Sequence, residues 1–538
     1  MKGPFHKLIH TPLSRRQFLR YSAATGFTTI LASNGLSPLR AQGTQGGTLV
    51  LLGHQEVAGL GPNDIAPTVQ ATVIYNILNP LFIVNHLIEL EPILAESYTV
   101  SEDGLTYTFN LREGVKFHDG SEMTAEDVKY TFEFYGNADN GSTIANYFLN
   151  MASVEVLSPY SLQVNMSAIN AAFLTNAGTV PIVPAKYHSE VGEDVFRTSP
   201  IGTGAFKLKG WRAAEFTELV AFADHFRGTP KLDGVRLEVV PEPSVRYVAL
   251  ITGEAHSAVW PLLVEDSLSL DGDPNYRVIR TLANSVKHIP INNSLPQLSD
   301  KRVRQAMMYA LDRQRIIDDL WNGTAEIAHS NLTPKNAYYY NPNLKRYEFN
   351  PAEARRLLDE AGWLEGSDGI RSKDGLKLGF TCTTITGDQA RRPIAELSQI
   401  MLKDVGIDMQ LAEAPVASIL AGMREGTMDA SLFNWTYGST PEPDPSVSLR
   451  SDGGNNFSQY RNPEMDALID QGLATVNPEE RRSIYHKIQE IFVEDVPCLY
   501  LQFDQWINVF SSKVGGLPEE VLSPDPVYWL AHQFDLNG

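Results

Sequence analysis

The sequence has little cysteine, with Cys382 and Cys498 as the only two in 538 residues. Two cysteines exclude a small disulfide-built fold and a four-thiolate metal site. Both lie in apolar runs that resemble strands, which favours two buried thiols. A single bridge between them stays open at this stage.

Basic residues are also scarce, with 44 lysines and arginines against 64 aspartates and glutamates, a net charge of -20. A surface with this excess of negative charge repels phosphate backbones, so we expect no nucleic-acid partner. No fixed sequence period is visible, which excludes a solenoid or a propeller. The composition, 43% hydrophobic and 20% charged, is that of a folded protein with more than one domain.

The motifs of common enzymes are missing as well. The sequence contains no His-Glu-x-x-His, no Gly-x-Ser-x-Gly and no P-loop. Gly202-Thr203-Gly204 lacks the third glycine of a dinucleotide-binding loop, because Lys207 stands in its place. The twelve histidines are scattered along the chain. We therefore predict no catalytic residues, no metal ligands and no cofactor, and keep an exported enzyme as an alternative.

The first 42 residues carry no acidic side chain and have the three-part layout of an export signal. The paired arginines of Ser14-Arg15-Arg16-Gln17-Phe18 resemble a twin-arginine signal. The weakly apolar stretch after them is too short and polar to span a bilayer, and Ala41 offers a cleavage site. We predict that residues 1–41 are a twin-arginine signal peptide and that the mature protein is periplasmic.

The mature chain mixes helical and strand patterns. Asp103-Gly104 separates two alternating segments between residues 98 and 111, which predicts a β-hairpin. Thr124 and Asp127 have capping-box spacing, and Pro351 stands at a helix start. Residues 301–321 have the pattern of one amphipathic helix and residues 430–433 that of one strand. The pattern changes near residue 290, from mostly alternating strand segments to amphipathic helices with short strands between them. These patterns predict a mixed α/β protein.

Five stretches form a recognisable set whose order and spacing cover nearly all of residues 46–515. They are Leu94-Ala95-Glu96-Ser97, residues 111–128, Pro200-Ile201-Gly202-Thr203-Gly204-Ala205-Phe206, Asp300-Lys301-Arg302-Val303-Arg304 and Ala361-Gly362-Trp363. Together they resemble the extracytoplasmic solute-binding proteins, family 5, which feed ABC importers of peptides, nickel and related solutes.

The resemblance implies an α/β, two-lobed periplasmic binding protein of type II, in the large peptide-binding subclass, with a hinge between its lobes. Lobe I would hold residues 42–288 with 505–538 returning to it, and lobe II residues 289–504. The chain would cross between lobes near residues 288–293 and 501–504. A monomer of this kind traps a small molecule by hinge closure and delivers it to the transmembrane subunits of an ABC permease.

The resemblance also implies ligand-binding residues after the strand predicted at 430–433. Asn434, Trp435 and Tyr437 follow it, and an Asp-Pro turn comes next. In peptide-binding relatives an aspartate in a similar turn binds the ligand's ammonium, which implies that role for Asp444. Packing of Trp435 in the core of lobe II and a solvated turn at Asp444 are the alternatives.

Three further residues complete the predicted site. Trp260 follows Gly253-Glu254-Ala255, where relatives turn toward the cleft, and Arg391 and Arg392 precede a helix and could bind an anion. Core packing for Trp260 and a surface pair for the arginines stay open. Residues 382–388 lack the arginine with which dipeptide-binding relatives clamp a carboxylate. This departure argues against a zwitterionic dipeptide and leaves longer peptides and non-peptide solutes. The first choice of ligand is a peptide, the second an opine or oligosaccharide, and the third nickel or a metal chelate. A sensory rather than a transport role also stays open.

Overall fold

The computed structural model describes residues 46–65, 68–260, 262–386, 388, 391–436, 442–523 and 525–537. The predicted signal peptide and Tyr437 therefore lie outside the described residues. From residue 45 onward the chain forms a single unit by its internal contacts.

The N-terminal half contains the strands β1 (Thr48–Gly53), β2 (Phe82–Val84), β3 (Leu90–Pro92), β4 (Ala95–Val100), β5 (Thr106–Leu111), β6 (Met151–Ser158), β7 (Ser161–Met166), β8 (Phe206–Arg212), β9 (Phe216–Ala221), β10 (Gly234–Val239), β11 (Ser257–Ala258) and β12 (Tyr276–Pro290). Its helices are α1 (Thr68–Ile77), α2 (Ala125–Tyr135), α3 (Phe173–Asn176), α4 (Ala185–Val191), α5 (Glu193–Phe196), α6 (Pro243–Thr252) and α7 (Val264–Ser269).

The C-terminal half contains the strands β13 (Glu326–Ile327), β14 (Leu364–Glu365), β15 (Arg371–Lys373), β16 (Leu376–Lys377), β17 (Gly379–Ile385), β18 (Asp408–Ala414), β19 (Ala430–Ser431), β20 (Phe433–Thr436), β21 (Cys498–Ser511), β22 (Val514–Gly515) and β23 (Asp535–Leu536). Its helices are α8 (Lys301–Ala310), α9 (Arg313–Trp321), α10 (Pro351–Glu360), α11 (Arg392–Asp404), α12 (Val416–Glu425), α13 (Ser446–Leu449), α14 (Pro463–Ala474), α15 (Pro478–Asp495) and α16 (Asp525–Trp529). The prediction of a mixed α/β protein is confirmed.

Local sequence signals are confirmed where side chains fix the backbone. β4 and β5 pair antiparallel around Gly104, which has a φ of 70°, a conformation that favours glycine. The carboxylate of Asp127 accepts a hydrogen bond from the amide of Thr124 at 2.9 Å, as in a capping box. Helix α10 begins at Pro351, and Asn350 Oδ1 caps it by accepting from the amide of Glu353 at 3.1 Å.

Two local predictions are wrong. Residues 301–321 form two helices, α8 and α9, because the extended backbone of Leu311 ends the first and Asp312 caps the second by accepting from the amide of Arg315 at 3.0 Å. The predicted strand at 430–433 is two short strands in different sheets. β19 pairs with β17, whereas β20 pairs with β12. The chain changes sheets at Leu432, so Asn434 and Trp435 lie within a strand rather than after one.

The largest sheet has the order β20-β12-β21-β11-β1-β10-β9-β8. β1 runs parallel to β10 and β11, whereas β12 and β21 form a long antiparallel pair. A smaller antiparallel sheet has the order β4-β5-β7-β6, and β17 lies between the parallel strands β18 and β19. Because β1 and β11 run parallel, the loops that follow them leave the large sheet at the same edge.

Buried apolar side chains gather in two main clusters, which we name the first core and the second core. The first core includes Leu51, Ile74, Phe109, Phe132 and Tyr528. The second core includes Val286, Met307, Leu358, Leu402 and Phe492. Each core is large enough to stabilise its own part of the chain by burial of apolar surface.

The paired strands β12 and β21 connect the two cores. On β12, Ile279 belongs to the first core and Leu282 to the second. On β21, Phe503 belongs to the second core and Phe510 to the first. The pairing of the two strands is interrupted between Leu282 and Val286. An irregular two-strand connection between two separately packed bodies is the geometry of a hinge.

Both cysteines are buried as free thiols, which confirms the favoured prediction. Burial raises the pKa of the Cys382 thiol to about 12, so this thiol is unreactive at neutral pH. Among the described residues, no helix has the length and apolarity to cross a bilayer.

Candidate ligand-binding site

Three aromatic rings meet at the edge of the large sheet where β1 and β11 end. His54 is the first residue after β1, and Trp260 follows β11 by two residues. Because these strands run in parallel, their ends place both rings together, with centroids 4.5 Å apart. Trp506 on β21 packs edge-to-face on Trp260 at 5.0 Å. We name His54, Trp260 and Trp506 the aromatic wall.

The aromatic wall combines apolar faces with free polar atoms. Trp260 is 36% exposed, an unusual fraction for a tryptophan that contacts two other rings. Burial and the nearby Arg246 guanidinium lower the pKa of His54, so its ring is neutral at pH 7. The Nδ1 atom of His54 is buried and has no hydrogen-bond partner among the described residues. Such a surface can stack a flat group and exchange a hydrogen bond with it.

The predicted residues on β20 point to opposite sides of the sheet, because side chains alternate along a strand. Trp435 lies opposite Val286 and packs edge-on against Phe457 at 5.4 Å, in contact with the second core. Asn434 lies opposite Lys287 on the other face. Its Oδ1 atom is buried and has no partner in the part of the chain that the structure describes. Asn434 therefore offers a buried, unused polar atom.

The two predicted arginines differ in environment. Arg391 pairs with Asp388, lies 5.7 Å from the ring centroid of Phe433, and has a side chain only 22% exposed. Arg392 is exposed and pairs with Glu396 at 2.9 Å and also with Glu413. Arg391 thus lies on the Trp435 side of β20, and Arg392 is a surface ion pair.

Asp444 is exposed and accepts a hydrogen bond from the amide of Ser446 at 2.9 Å. This is the geometry of a turn that starts helix α13. The neighbouring Glu442 is less exposed, with 22% of its side chain accessible. Glu442 binds Arg481 at 2.6 Å and accepts from the Tyr339 hydroxyl at 2.6 Å. Burial raises the pKa of Glu442, and Arg481 opposes that effect.

A second buried ion pair lies at the connection between the cores. Lys287 on β12 pairs with Asp504 on β21, and their side chains are 7% and 14% exposed. The ammonium of Lys287 also lies 4.5 Å from the ring of Trp321, and Gln502 donates to Asp504 at 2.8 Å. These contacts hold the two connecting strands together beside the interruption in their pairing.

Sequence reasoning missed His54, Trp506 and the ion pairs Glu442–Arg481 and Lys287–Asp504. The position of His54 directly after a strand parallel to β11 was a usable signal, because ligand groups collect at strand ends. Trp506 lies close to the predicted crossing at 501–504, which was a second signal. The partners of the ion pairs are 39 and 217 residues apart, so no spacing rule could have joined them.

Among the described residues, no three histidine, cysteine or acidic side chains lie close enough together to hold a metal ion.

Comparison with known proteins defines the class. The family model "Bacterial extracellular solute-binding proteins, family 5 Middle" matches residues 89–458. The chain belongs to this family and is a solute-binding protein. The match and the structures below confirm the predicted family and the predicted two-lobed α/β fold.

Individual relatives cover most of the chain. The oligopeptide-binding protein AppA of Bacillus subtilis is 29% identical over 459 residues, which are 81% of this chain and 83% of AppA. The structure of AppA with a nonapeptide matches with a TM-score of 0.75 at 26% identity, covering 92% of this chain and all of that one. NikZ from Campylobacter jejuni, solved with Ni(L-His), matches with a TM-score of 0.78 at 26% identity, covering 91% and 99%.

Proposed function

We propose that this protein is the periplasmic solute-binding subunit of an ABC importer for peptides, exported by a twin-arginine signal in residues 1–41. It has no catalytic activity and no cofactor, and it delivers its ligand as a monomer to the transmembrane subunits of the permease. Membership of family 5 supports the binding role, and the peptide-binding AppA supports the ligand class.

One observation carries the mechanism: two separate cores joined by β12 and β21, with the aromatic wall beside the join. Lobe I comprises residues 42–288 with 505–538, and lobe II residues 289–504. Trp506 stands on a connecting strand just beyond the predicted crossing at 501–504, so the aromatic wall borders the join on the side of lobe I. A ligand stacked there contacts the hinge itself, and its binding energy favours the closed arrangement.

The proposed ligand contacts are the aromatic wall and Asn434. A peptide bond stacks on a tryptophan face and supplies hydrogen-bond donors and acceptors for His54 Nδ1 and Asn434 Oδ1. Tyr437 stays a proposed contact because it follows β20. Arg391 and Trp435 would contact only a ligand that reaches the other face of β20, and Arg392 is proposed as a surface residue.

The aromatic wall also favours a second ligand class. Oligosaccharides and sugar-derived opines present apolar sugar faces that stack on exposed tryptophan. Among the described residues, the wall supplies neutral hydrogen-bonding atoms and no unpaired charge.

The test is a ligand screen followed by a measurement of closure. The purified mature protein, residues 42–538, is unfolded, freed of any bound ligand and refolded. It is then screened by thermal shift with tetrapeptides, opines, oligosaccharides and nickel-histidine. A ligand at about 1,000 times its Kd adds about 4 kcal/mol of stability, which is easily detected. Small-angle scattering with the best ligand must then show a smaller radius of gyration. A flat screen, or binding without compaction, contradicts the proposal.

Trp260→Ala should weaken ligand binding by about 1.5–3 kcal/mol, roughly 10- to 150-fold, because it removes the exposed face of the wall. Isothermal titration with the best peptide measures the change. Trp211→Ala is the matched control, since Trp211 lies on β8 at the far edge of the large sheet. Equal losses for both variants would show a general effect on folding.

Asp444→Ala should change the affinity for a peptide with a free amino terminus by about 1 kcal/mol or less, because an exposed carboxylate is screened by water. A loss of about 2–5 kcal/mol would instead identify Asp444 as a desolvated contact to the ammonium. Comparison of each peptide with its N-acetylated form, in both proteins, separates these outcomes.

A further inference from the structure

The turn between β4 and β5 touches the part of the chain that packs in the second core. Gly104 lies in this turn, and Phe109 on β5 belongs to the first core. Val476 lies between α14 and α15, and Ile484 on α15 belongs to the second core. A Cβ atom added to Gly104 would lie only 2.6 Å from a methyl carbon of Val476. The two bodies therefore meet in van der Waals contact away from the strands that connect them.

The hairpin turn supplies a notch that only glycine leaves open. Gly104 has a φ of 70°, and its amide donates to the carbonyl of Ser101 at 2.9 Å, which fixes the backbone as a tight turn. The Cβ atom of any other residue at this position would meet the Val476 methyl group and would lie 3.4 Å from Ile169. Close-packed neighbours cannot absorb such an atom without moving apart. We name Gly104 and Ile169 the notch.

The loop that fills the notch is held by its own hydrogen bonds. Arg481 donates to the carbonyl of Thr475 at 2.8 Å, and Asn477 caps α15 by accepting from the amide of Glu479 at 2.9 Å. Val476 lies between these two fixed residues and is 39% exposed. Its position is thus set from the second core's side, so its contact with the notch requires little reordering.

We propose that Val476 seated in the notch stabilises the closed arrangement of the two lobes. Gly104 and Val476 would then be positioning residues for ligand binding that do not contact the ligand. The inference rests on the proposed function, because closure has a role only if the protein traps a solute. Neither residue lies on β12 or β21, so each moves with its own body and opening at the join separates them. The apparent affinity for every ligand then depends on how readily this contact forms.

The test fills the notch with Gly104→Asn, because asparagine accepts a positive φ but carries a Cβ atom. Gly141→Asn is the matched control, since Gly141 has a φ of 75° and an added Cβ atom meets nothing within 4 Å. Val476→Ala removes the methyl groups from the contact. Its control is Val416→Ala, at a valine of the same lobe that is 43% exposed. Isothermal titration measures the affinity for the tightest tetrapeptide of the screen, its N-acetylated form and its C-terminal amide.

We expect Gly104→Asn to weaken all three probes by the same factor, about 5- to 50-fold. Val476→Ala should weaken them by about 2- to 5-fold, because it removes apolar contact without adding a clash. In the double variant the asparagine should cost at most about 3-fold beyond Val476→Ala, since the methyl group it meets is gone. Stopped-flow fluorescence should place the losses in the dissociation rate, because the contact forms after the ligand has entered. Both controls should match wild type.

Three results would overturn the inference. Unchanged affinity in both Gly104→Asn and Val476→Ala would show that the contact does not favour closure. Unequal losses among the three probes would show that these residues contact an end of the ligand. A loss from Gly104→Asn that is the same with and without Val476→Ala would show damage to the hairpin instead. Circular dichroism and thermal unfolding without ligand identify a variant that fails to fold. Gly104→Ala then replaces Gly104→Asn, with Gly141→Ala as its control.

Failure of this inference is distinguishable from failure of the proposed function. If wild type binds no member of the screen, or binds without compaction in scattering, the proposed function fails. If wild type binds and compacts while the variants keep full affinity, only the role of the notch fails.

Discussion

Replacing Arg481 with methionine is expected to lower the free energy of unfolding by about 3–5 kcal/mol at pH 7.5. The guanidinium is 7% exposed and binds Glu442 at 2.6 Å, the Tyr339 hydroxyl at 2.9 Å and the Thr475 carbonyl at 2.8 Å. Without it, Glu442 keeps a negative charge in a poorly hydrated place and loses its contact with the guanidinium. Urea unfolding followed by tryptophan fluorescence measures the loss.

Two further variants test the cause of this loss. Arg392→Met removes an exposed arginine with two ion pairs, and should cost less than about 1 kcal/mol. Glu442→Leu combined with Arg481→Met removes both charges and should recover most of the stability. The loss in Arg481→Met should also shrink at low pH, since Glu442 has a raised pKa and loses its charge first. Equal losses for Arg481→Met and Arg392→Met would contradict the buried pair.

The sequence was informative where one local contact decides the structure. Gly104 permits the hairpin turn, Asp127 caps α2, and Asn350 with Pro351 starts α10. Local rules failed at Asp312, where a side chain that caps one helix also divides a longer amphipathic pattern. They failed again at Leu432, because a short, mostly apolar run does not say which sheet it joins.

The candidate site was harder to predict because its residues are joined only by the fold. Trp260 was found from its position after a family motif, but its partners His54 and Trp506 are distant in sequence. The pattern around Asp444 pointed to the exposed acid of its loop. The partly buried acid, Glu442, is recognisable only from Arg481, which comes from α15. Burial and pairing depend on tertiary packing, which composition and spacing do not contain.

Acid should destabilise the protein strongly, because many of its histidines are buried in the neutral form. Burial lowers the pKa of six histidines to about 4, namely His118, His225, His256, His288, His329 and His532. Two of them use a ring nitrogen as an acceptor. His256 Nδ1 accepts from the amide of Val50 at 3.0 Å, and His118 Nδ1 accepts from that of Gly202 at 3.3 Å. A proton at either nitrogen removes the bond.

The direction of the effect follows from the unfolded chain, whose histidines bind protons near pH 6.5. Between pH 6.5 and 4 the unfolded state therefore holds more protons than the folded state, and the free energy of unfolding falls as pH falls. Each shift is equivalent to about 3 kcal/mol at most, and solvent screening reduces it at the partly exposed rings. Asp525 and Glu442, whose pKa values are raised, act in the opposite direction but are fewer.

We therefore expect the free energy of unfolding to be lower at pH 4.5 than at pH 7.5 by about 5 kcal/mol or more. Urea unfolding of the ligand-free protein at both values measures the difference. His225→Leu should reduce the difference by about 1–3 kcal/mol, because His225 is 6% exposed and its Nδ1 has no partner among the described residues. The comparison is between two pH values within each protein, so a general change in stability cancels. An equal difference in wild type and variant would mean that His225 is hydrated and protonated in the folded protein.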